Sequence, residues 1–573
     1  MRRKKRWIIL ALVVVGILVG VVLSRREPFI APGSFLEVEI GGDYTEAPPA
    51  DLLGQLVGSQ QQLLTDLLLE LRKAAADSRL RGVLVKITPL DLDFAKAQEI
   101  RTALRALRAA GKQVVTWVSG EGDSGNYEYY LASVADQVYF TENATLPLLG
   151  LRATAVFLGG VWEKLGVNMQ VEQIREYKTF GDMLARKTMS DAHREMTTAL
   201  LDSLHEQFVA DIAEARGLSP ARVQALIDAP TLTAADYQQA GLIDGIRFYQ
   251  EIRDELATTP GKSLPTVSLE TYHRVKPSSV GLTPGSKIAV VYGVGAVTTG
   301  EGGWGATGQA MGADTVTEAL TEAAKDDTIA AIVFRIDSPG GSALASDLIW
   351  QAVVSAKKTK PVVVSMSGVA ASGGYYIAAG ATKIVAQPTT LTGSIGIVFS
   401  LPSIPGLLEK LGVNTETLER GRYARIFDPS NTWTPDERQQ VQRLMETLYT
   451  TFVRRVAEGR GLTTAEVDQV GRGRVWTGMQ ASTRGLVDQL GGLETALRVA
   501  KEEAGIAEKT HVRLVFYPRE KPWFEVLLKR LSGQQMRLLP LPRPVQDILP
   551  YLAPLTEQRY GPLLVMPLQL RIR

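Results

Sequence analysis

An internal repeat constrains this chain of 573 residues more than any other feature of its sequence. The segment Leu165-Gly166-Val167-Asn168 recurs as Leu411-Gly412-Val413-Asn414, about 246 residues later. At the same spacing, Tyr129-Tyr130-Leu131-Ala132 falls on Tyr375-Tyr376-Ile377-Ala378. Matches that keep one spacing over a long stretch indicate two copies of one domain.

Each copy is predicted to be an α/β domain with a largely parallel sheet, because strand-like and helix-like runs alternate along it. The strand-like runs are Phe35–Ile40, Gly82–Ile87 and Gln113–Val118, and then Ile288–Tyr292, Ala330–Ile336 and Pro361–Ser365. The helix-like runs are Leu63–Ala75 and Val316–Ala324. Each copy ends in a long amphipathic helical stretch, Asp191–Arg216 and Thr434–Arg460.

The repeat and the composition together divide the chain into five parts. We expect the copies to span residues 27–258 and 287–505, joined by a polar, proline-bearing linker at 259–286. Residues 1–26 precede the first copy, and a proline-rich C-terminal extension at 506–573 follows the second. The sequence predicts no definite role for that extension.

The N-terminus carries the pattern of a membrane anchor. Basic residues from Arg2 to Arg6 precede 17 uncharged residues, Trp7 to Leu23, which is just long enough to span a bilayer. A cleavable signal would need small residues at a cleavage site after this run, and the sequence offers none of the Ala-x-Ala type. We therefore expect residues 7–23 to remain in membrane lipid, with the N-terminus in the cytoplasm. For a bacterial chain, the rest then lies on the extracytoplasmic side of the inner membrane.

Several classes of chemistry are disfavoured by composition. The chain has no cysteine, which removes disulfides and thiolate nucleophiles. Its four histidines form no metal-binding motif, so we expect no metal or other cofactor. The net charge of +2 and its distribution do not indicate a nucleic-acid surface.

Ser372 is the candidate nucleophile. It lies in Ala371-Ser372-Gly373-Gly374, where a β-branched run gives way to a helix-like segment. Backbone N–H groups at the start of a helix lack partners within the helix and can stabilise a developing oxyanion. The alternative is that Ser372 only caps the helix and that the glycines only form a tight turn.

The two copies differ at the positions that matter for this chemistry. Ser372 corresponds to Asn126, and Lys178 corresponds to Ala424. A serine hydroxyl needs a base to become nucleophilic, and no histidine lies between His273 and His511. A buried lysine can be neutral and act as that base. Lys178 lies between two aromatic residues in Tyr177-Lys178-Thr179-Phe180, although a surface lysine in a loop is the alternative.

A glycine turn is a third difference between the copies. The second copy has Asp337-Ser338-Pro339-Gly340-Gly341-Ser342 after its buried strand, and the first copy has no glycine there. Glycine lets the backbone approach a substrate closely and present N–H groups. Gly340 or Gly341, together with Gly373, is therefore a candidate oxyanion hole.

Three motifs of the second copy closely resemble the signal peptide peptidase A family, also called protease IV, in its long two-copy form. They are the turn at 337–342, Ala370-Ala371-Ser372-Gly373-Gly374-Tyr375-Tyr376, and Leu391-Thr392-Gly393-Ser394-Ile395-Gly396. The resemblance covers the chain from the N-terminal anchor to about residue 505 and rests on fewer residues in the first copy.

The resemblance implies a tandem Clp-protease/crotonase-like fold preceded by one transmembrane helix. It implies a serine endopeptidase that degrades signal peptides left in the membrane, with Ser372 as nucleophile, Lys178 as general base and Ser394 orienting the lysine. It also implies a bowl-shaped homotetramer with apolar grooves. Two alternatives remain, namely a crotonase-type acyl-thioester enzyme and a non-catalytic membrane scaffold.

Overall fold

The computed structural model describes residues 27–48, 62–120, 125–229, 232–257, 262–283, 285–305, 308–519, 563–566 and 571–572. Both predicted copies are mixed α/β domains. The predicted anchor at 7–23 lies outside the described residues, as does most of the C-terminal extension. Within the described ranges, no helix combines the length and the apolar character that crossing a bilayer requires.

The first copy contains ten strands and ten α-helices among its described residues. The strands are β1 (Ser34–Gly42), β2 (Tyr44–Thr45), β3 (Gln62–Leu63), β4 (Leu80–Leu90), β5 (Gln113–Val118), β6 (Gln137–Phe140), β7 (Ala153–Thr154), β8 (Asn168–Gln173), β9 (Gly245–Ile246) and β10 (Thr266–Ser268). The helices are α1 (Leu64–Ala76), α2 (Phe94–Ala109), α3 (Asn126–Ala132), α4 (Gly159–Leu165), α5 (Phe180–Ala185), α6 (Asp191–Arg216), α7 (Pro220–Asp228), α8 (Ala234–Gln239), α9 (Tyr249–Leu256) and α10 (Leu269–Tyr272). A short 3₁₀ helix (Pro277–Val280) follows.

The second copy repeats this alternation of strands and helices. Its strands are β11 (Lys287–Val294), β12 (Ala296–Thr298), β13 (Gly303–Gly305), β14 (Gly308–Gly312), β15 (Ile329–Ser338), β16 (Gly340–Ser342), β17 (Val362–Ala371), β18 (Lys383–Ala386), β19 (Leu391–Gly393), β20 (Val398–Ser403), β21 (Val475–Thr477), β22 (Gln489–Leu490) and β23 (Arg513–Tyr517). Its helices are α11 (Ala313–Lys325), α12 (Ala343–Lys357), α13 (Gly373–Ala378), α14 (Pro405–Lys410), α15 (Pro435–Arg460), α16 (Thr464–Val470), α17 (Gly478–Ser482) and α18 (Leu493–Glu503). Near the C-terminus lie β24 (Leu563–Val565) and β25 (Arg571–Ile572).

The order of strands shows that the two copies share one topology. The first sheet has the order β10-β1-β4-β5-β6-β9, and the second contains the matching path β23-β11-β15-β17-β18-β22. The pairs at the centre of both sheets are parallel, as predicted from the alternation of strands and helices. Each sheet packs its apolar face against helices of its own copy in a large buried core.

The last strand of each copy lies beyond the boundary that the sequence suggests. β10 lies inside the segment predicted as a linker, and it pairs with β1 at the edge of the first sheet. β23 lies inside the predicted extension and pairs with β11 in the same way. The polar linker therefore contributes to the first domain. The three residues of β10 are too few to show a strand period, which is why composition alone assigned them to a linker.

The two long helices begin and end where their sequences predict. α6 spans Asp191–Arg216, with Ser190 accepting a capping hydrogen bond, and α15 starts at Pro435 with Thr434 as its N-cap. Both helices end at a glycine in the left-handed conformation, Gly217 and Gly461. A side chain would be strained there, so glycine makes a sharp stop possible.

A third sheet joins the copies. It has the order β13-β14-β12-β16-β24-β20-β8, so that β8 of the first copy pairs along its whole length with β20 of the second. The chain leaves β8 at Gln173 and reaches Lys178 within five residues. This pairing therefore carries a residue of the first copy into the second.

Candidate active site

Ser372 lies at the junction of β17 and α13, as predicted from the sequence. Its φ of 54° and ψ of −112° lie outside the common regions for residues with a side chain. Its N–H donates to Gly393 O at 2.8 Å. Ser372 is the N-cap residue of α13 by position, but its hydroxyl makes no hydrogen bond that caps the helix and is free for another role. Backbone strain of this kind is found most often at functional sites.

Lys178 follows β8 and is held in place by backbone of the second copy. Tyr177 N–H donates to Arg472 O at 3.1 Å, and Ile174 N–H donates to Ile397 O at 3.0 Å. Gly473 lies directly against Lys178, and a Cβ at Gly473 would collide with the lysine backbone. The second copy therefore holds the segment that carries the lysine.

The structure brings Lys178, Ser372 and Ser394 together in one buried site. Lys178 Nζ lies 2.7 Å from Ser372 Oγ and 2.8 Å from Ser394 Oγ. It also donates to the Ser394 carbonyl at 3.0 Å. All three side chains are inaccessible to solvent. The alternative of a surface lysine is therefore wrong. Two residues separated by 194 positions lie within hydrogen-bonding distance.

Burial alone controls the charge of Lys178. Desolvation lowers the pKa of the ammonium group well below its usual value, and no carboxylate charge opposes this effect. A neutral amine has two N–H donors and one lone pair. The three partners of Nζ match that inventory, because the Ser394 carbonyl can only accept and each hydroxyl can either donate or accept. The contacts of Nζ therefore fit a neutral lysine whose lone pair accepts from one of the two hydroxyls.

The three candidate oxyanion glycines lie together but are not equivalent. A Cβ at Gly373 would lie 3.1 Å from Gly340 Cα and 3.1 Å from Gly341 N. Gly373 opens α13, so its N–H has no partner within the helix. Gly340 N–H donates to Ser338 Oγ at 3.2 Å, and Ser338 donates to Gly295 O at 2.7 Å. Gly340 has a φ of +99°, a conformation that favours glycine.

A strand from the C-terminal extension lies across the glycine turn. β24 pairs antiparallel with β16, which places Val565 opposite Gly340 and Leu564 opposite Gly341. Met566 N–H donates to Pro339 O at 2.8 Å. β24 also pairs with β20, so it fills a gap between two strands that border the site. No pattern in the sequence predicts this strand.

Met566 occupies an apolar pocket beside Ser372 and Lys178. It is 5% exposed and packs in a cluster with Met196, Leu200, Ala371, Leu391 and Val475. Tyr177 packs against the same cluster. Ala371 directly precedes Ser372 and Tyr177 directly precedes Lys178, so the pocket includes the chain neighbours of both reactive residues.

The counterparts of Ser372 in the first copy and of Lys178 in the second copy do not form a second set of reactive groups. Asn126, the counterpart of Ser372, donates to Gly150 O at 2.7 Å and accepts from Leu149 N–H at 3.1 Å. Ala424, the counterpart of Lys178, is exposed. The duplicated chain therefore builds one mixed site from two copies. Among the described residues, no group of three or more histidine, aspartate or glutamate side chains could hold a metal ion.

A cluster of buried charges behind Ser372 was also missed by sequence reasoning. Arg335 and Asp337 lie in β15, where they meet acidic and basic residues of the first copy. The available signal was the presence of two charged residues inside the buried run Ile329–Ser338. Such residues are rarely buried without partners.

Comparison with known proteins agrees with the duplication and with the α/β fold. The model of peptidase family S49 matches residues 106–262 and 355–507, once in each copy. The model of the Clp protease family matches residues 306–391. Ser372 lies within both matches in the second copy.

Similar proteins cover most of the chain. It is 37% identical over 449 residues to "Serine protease SPPA, chloroplastic" of Arabidopsis thaliana, covering 77% of this chain and 66% of that protein. It is 30% identical over 576 residues to Protease 4 of Salmonella typhi, covering 96% and 90%. It is 27% identical over 510 residues to Protease 4 of Haemophilus influenzae, covering 84% and 81%. The resemblance inferred from the three motifs is confirmed, and the chain belongs to peptidase family S49, with serine-type proteases among its relatives.

Proposed function

We propose that this chain is a serine endopeptidase in which Ser372 and Lys178 form the catalytic dyad. The observation that carries the proposal is the distance of 2.7 Å between Lys178 Nζ and Ser372 Oγ in a buried site. The low pKa of Lys178, caused by desolvation, supports its role as a base.

The acylation step follows from these positions. Neutral Lys178 takes the proton of the Ser372 hydroxyl while Oγ attacks the peptide carbonyl carbon. Gly373 N–H faces the developing oxyanion, and Gly340 N–H is the second donor, since its bond to Ser338 Oγ is long at 3.2 Å. The C–N bond then breaks as Lys178 returns the proton to the leaving amine. An acyl-serine remains.

Deacylation reverses these roles. Lys178, neutral again, removes a proton from water, and the hydroxide oxygen attacks the acyl-serine carbonyl. Collapse of the second tetrahedral intermediate breaks the bond to Ser372 Oγ, and Lys178 returns the proton to Oγ. Ser394 holds the lysine through its hydroxyl and its carbonyl throughout.

The substrate is an extended apolar peptide. β24 supports this proposal, because it shows that a strand fits between β16 and β20 and that an apolar side chain fits the pocket at Met566. Adding a strand to an exposed sheet edge is a common mode of peptide recognition. Signal peptides are apolar, and we propose them as the natural substrate class.

The cellular setting is proposed from the sequence alone. Residues 7–23 serve as a membrane anchor, and the positive charges before them place the catalytic body on the extracytoplasmic face of a bacterial inner membrane. We propose a homotetramer, which would gather several sites near the membrane. Cross-linking of the full chain in membranes measures the subunit number.

Covalent labelling tests the nucleophile. The full chain in detergent should react with a fluorophosphonate at Ser372 and hydrolyse a synthetic signal peptide, because Lys178 activates that hydroxyl. Ser372→Ala should lose both reactions. Ser355→Ala, which alters an exposed serine of α12, should keep both. Peptide hydrolysis that survives in Ser372→Ala would refute the proposed dyad.

The same experiment separates the two alternatives. An acyl-thioester enzyme would turn over an acyl-coenzyme A and leave the peptide intact. A scaffold without catalytic activity would give neither labelling nor hydrolysis. Membership in a peptidase family already favours the serine endopeptidase over both alternatives.

Replacing Ser394 by alanine should lower kcat by about 10- to 100-fold and leave KM almost unchanged. The variant removes one of three contacts to Lys178 Nζ, and small misplacements of a catalytic group have effects of this size. The Ser394 carbonyl still holds Nζ, so some activity remains. Steady-state kinetics with Ser355→Ala as control measure the effect, and an unchanged kcat would remove Ser394 from the mechanism.

A chain that ends at residue 562 should show a several-fold lower KM for apolar peptides and an unchanged kcat. β24 lies where the proposed substrate strand binds, and an occupant on the same chain competes at a high effective concentration. A chain that ends at residue 570 keeps Leu563–Met566 and is the matched control. Equal KM values in the two truncated chains would show that β24 does not compete with substrate.

A further inference from the structure

A cluster of six charged side chains lies between the copies, against the strand that leads to Ser372. Arg335 and Asp337 come from β15 of the second copy, and the others come from the first copy: Glu46, Asp93, Lys96 and Glu99. We call these six residues the inter-copy charge cluster. The proposed mechanism gives none of them a role.

One half of the cluster is organised around Arg335, which is inaccessible to solvent. Its Nε and Nη2 donate to the two oxygens of Glu46, each at 2.9 Å. Nη2 also donates to Glu99 Oε2 at 2.7 Å, and Nη1 donates to Ser365 Oγ at 2.9 Å. Paired contacts of this kind fix both orientation and distance.

The other half is organised around Lys96. Its Nζ lies 3.1 Å from Asp337 Oδ2 and 3.4 Å from Asp93 Oδ2, and its side chain is 12% exposed. Desolvation lowers the pKa of Lys96, but the charges of Asp337 and Asp93 outweigh it and hold the pKa well above its usual value. Lys96 is therefore a permanent cation between two carboxylates, in contrast to Lys178.

The cluster surrounds an irregular section of β17. Ile336 pairs with Met366 and Ser338 pairs with Ala370, so residues 367–369 form a bulge opposite Asp337. This bulge ends three residues before Ser372. Bulges next to active sites commonly aim a side chain, and this one leads directly into the strained backbone of Ser372.

Carboxylates of the cluster contact every residue of the bulge. Val369 N–H donates to Asp337 Oδ1 at 3.1 Å, and Ser367 Oγ donates to Glu46 Oε1. Gly368 lies against the carboxylate of Asp93, where a Cβ would collide with both oxygens. Two of these three carboxylates belong to the first copy.

We propose that Lys96 is a positioning residue for the nucleophile, acting from the first copy through Asp337. Lys96 fixes the carboxylate of Asp337, and that carboxylate accepts a hydrogen bond from Val369 N–H in the bulge. Asp337 also begins the turn that leads to Gly340. The first copy thus supplies the general base and also sets the bulge that aims Ser372. This inference rests on the proposed peptidase function.

Three variants test the positioning role in the full chain in detergent. Lys96→Met should lower kcat about 10- to 100-fold with KM within twofold, because Asp337 loses its cation and the bulge is less well fixed. Lys96→Arg should restore most of the kcat, since it keeps the charge. Lys86→Met, which removes an exposed ion pair with Glu39 in the same copy, is the control and should match the wild type.

The pH profile provides a readout that a purely structural role would not change. In Lys96→Met, Asp337 faces Asp93 and Glu46 without a nearby cation other than Arg335, which Glu46 and Glu99 already engage. Its carboxyl should then bind a proton at a higher pH. The acid side of the kcat profile should therefore show a second ionisation, that of Asp337, in Lys96→Met and should keep the single ionisation of the wild type in Lys96→Arg.

A double variant keeps the proposal testable if Lys96→Met does not fold. Lys96→Met with Asp337→Asn leaves no unpaired charge in this pair, and its kcat should still be about tenfold below the wild type. Wild-type kcat and pH profile in either variant would overturn the positioning role. Loss of hydrolysis in Ser372→Ala tests the peptidase function separately, so failure of one proposal can be told from failure of the other.

Discussion

Replacing Lys178 by methionine is expected to lower kcat for peptide hydrolysis by about 10²- to 10⁴-fold, the usual contribution of a general base. Methionine fills a similar volume but cannot take the proton of Ser372, which lies 2.7 Å from the lysine nitrogen. Steady-state hydrolysis of an apolar peptide measures the loss. Lys164→Met, which changes an exposed lysine of the same copy, is the control.

Lys178→Arg should be about as inactive as Lys178→Met. A guanidinium group stays protonated at any pH that the protein tolerates, so it cannot act as a base. Activity in Lys178→Arg above one tenth of the wild type would mean that the lysine acts only as a positive charge. That outcome would contradict a neutral lysine.

The pH dependence of activity follows from the same burial. Desolvation lowers the pKa of Lys178 well below its usual value, so the neutral, active form accumulates as the pH rises through that lowered pKa. Activity should rise over this range and then reach a plateau well below the usual lysine pKa of about 10.4. The profile of kcat against pH should report one ionisation on the acid side.

Stability should depend on pH through the same group. Between the lowered pKa of the folded state and about 10.4, the unfolded chain binds one proton more than the folded chain at this position. The free energy of unfolding therefore gains a contribution as the pH rises through this window. Lys178→Met lacks that contribution. The free energy of unfolding of the wild type, minus that of the variant, should therefore increase with pH. Chemical unfolding at two pH values within the window measures the difference.

Sequence reasoning placed both halves of the site because local patterns carried them. A β-branched run followed by glycines marks the turn at Ser372, and the repeat shows that Lys178 has no counterpart in the second copy. The distance between them depends on pairing of β8 with β20 over more than 200 positions. Local patterns do not specify such a pairing; the comparison of the copies made Lys178 a candidate base, and the family resemblance paired it with Ser372.

The parts that sequence reasoning missed are short or depend on distant partners. β10 and β24 have three residues each, too few for a period of two to be distinguished from chance. A charged residue such as Arg335 is unexpected in a buried strand when only the local sequence is considered. Its burial is explained by ion pairs with Glu46 and Glu99 of the other copy. The sequence predicted the scaffold of each copy, whereas the contacts between copies required the structure.

We expect mutations in the contacts between the copies to lower the free energy of unfolding more than mutations elsewhere. Arg335→Met tests this expectation. The free energy of unfolding is expected to fall by about 3–5 kcal/mol, because Glu46 and Glu99 lose their common cation in a buried site. Chemical unfolding of the full chain in detergent measures the change. Arg105→Met, which removes an exposed pair with Glu214, should change stability by no more than about 1 kcal/mol.

The pH dependence of the Arg335→Met variant identifies the cause of its instability. In the wild type, burial raises the pKa of Glu46, but Arg335 outweighs it and holds that pKa below its usual value. Without Arg335, burial raises the pKa of Glu46 and raises that of Glu99 further, so the folded variant binds more protons than its unfolded chain. Its stability relative to the wild type should then fall as the pH rises above about 4.3, the usual glutamate pKa.

A loss of stability that is equal at pH 5 and pH 8 would mean that lost packing, and not unpaired charge, accounts for the effect. Adding Glu46→Gln and Glu99→Gln to Arg335→Met should recover most of the loss at the higher pH, because neutral amides need no cation.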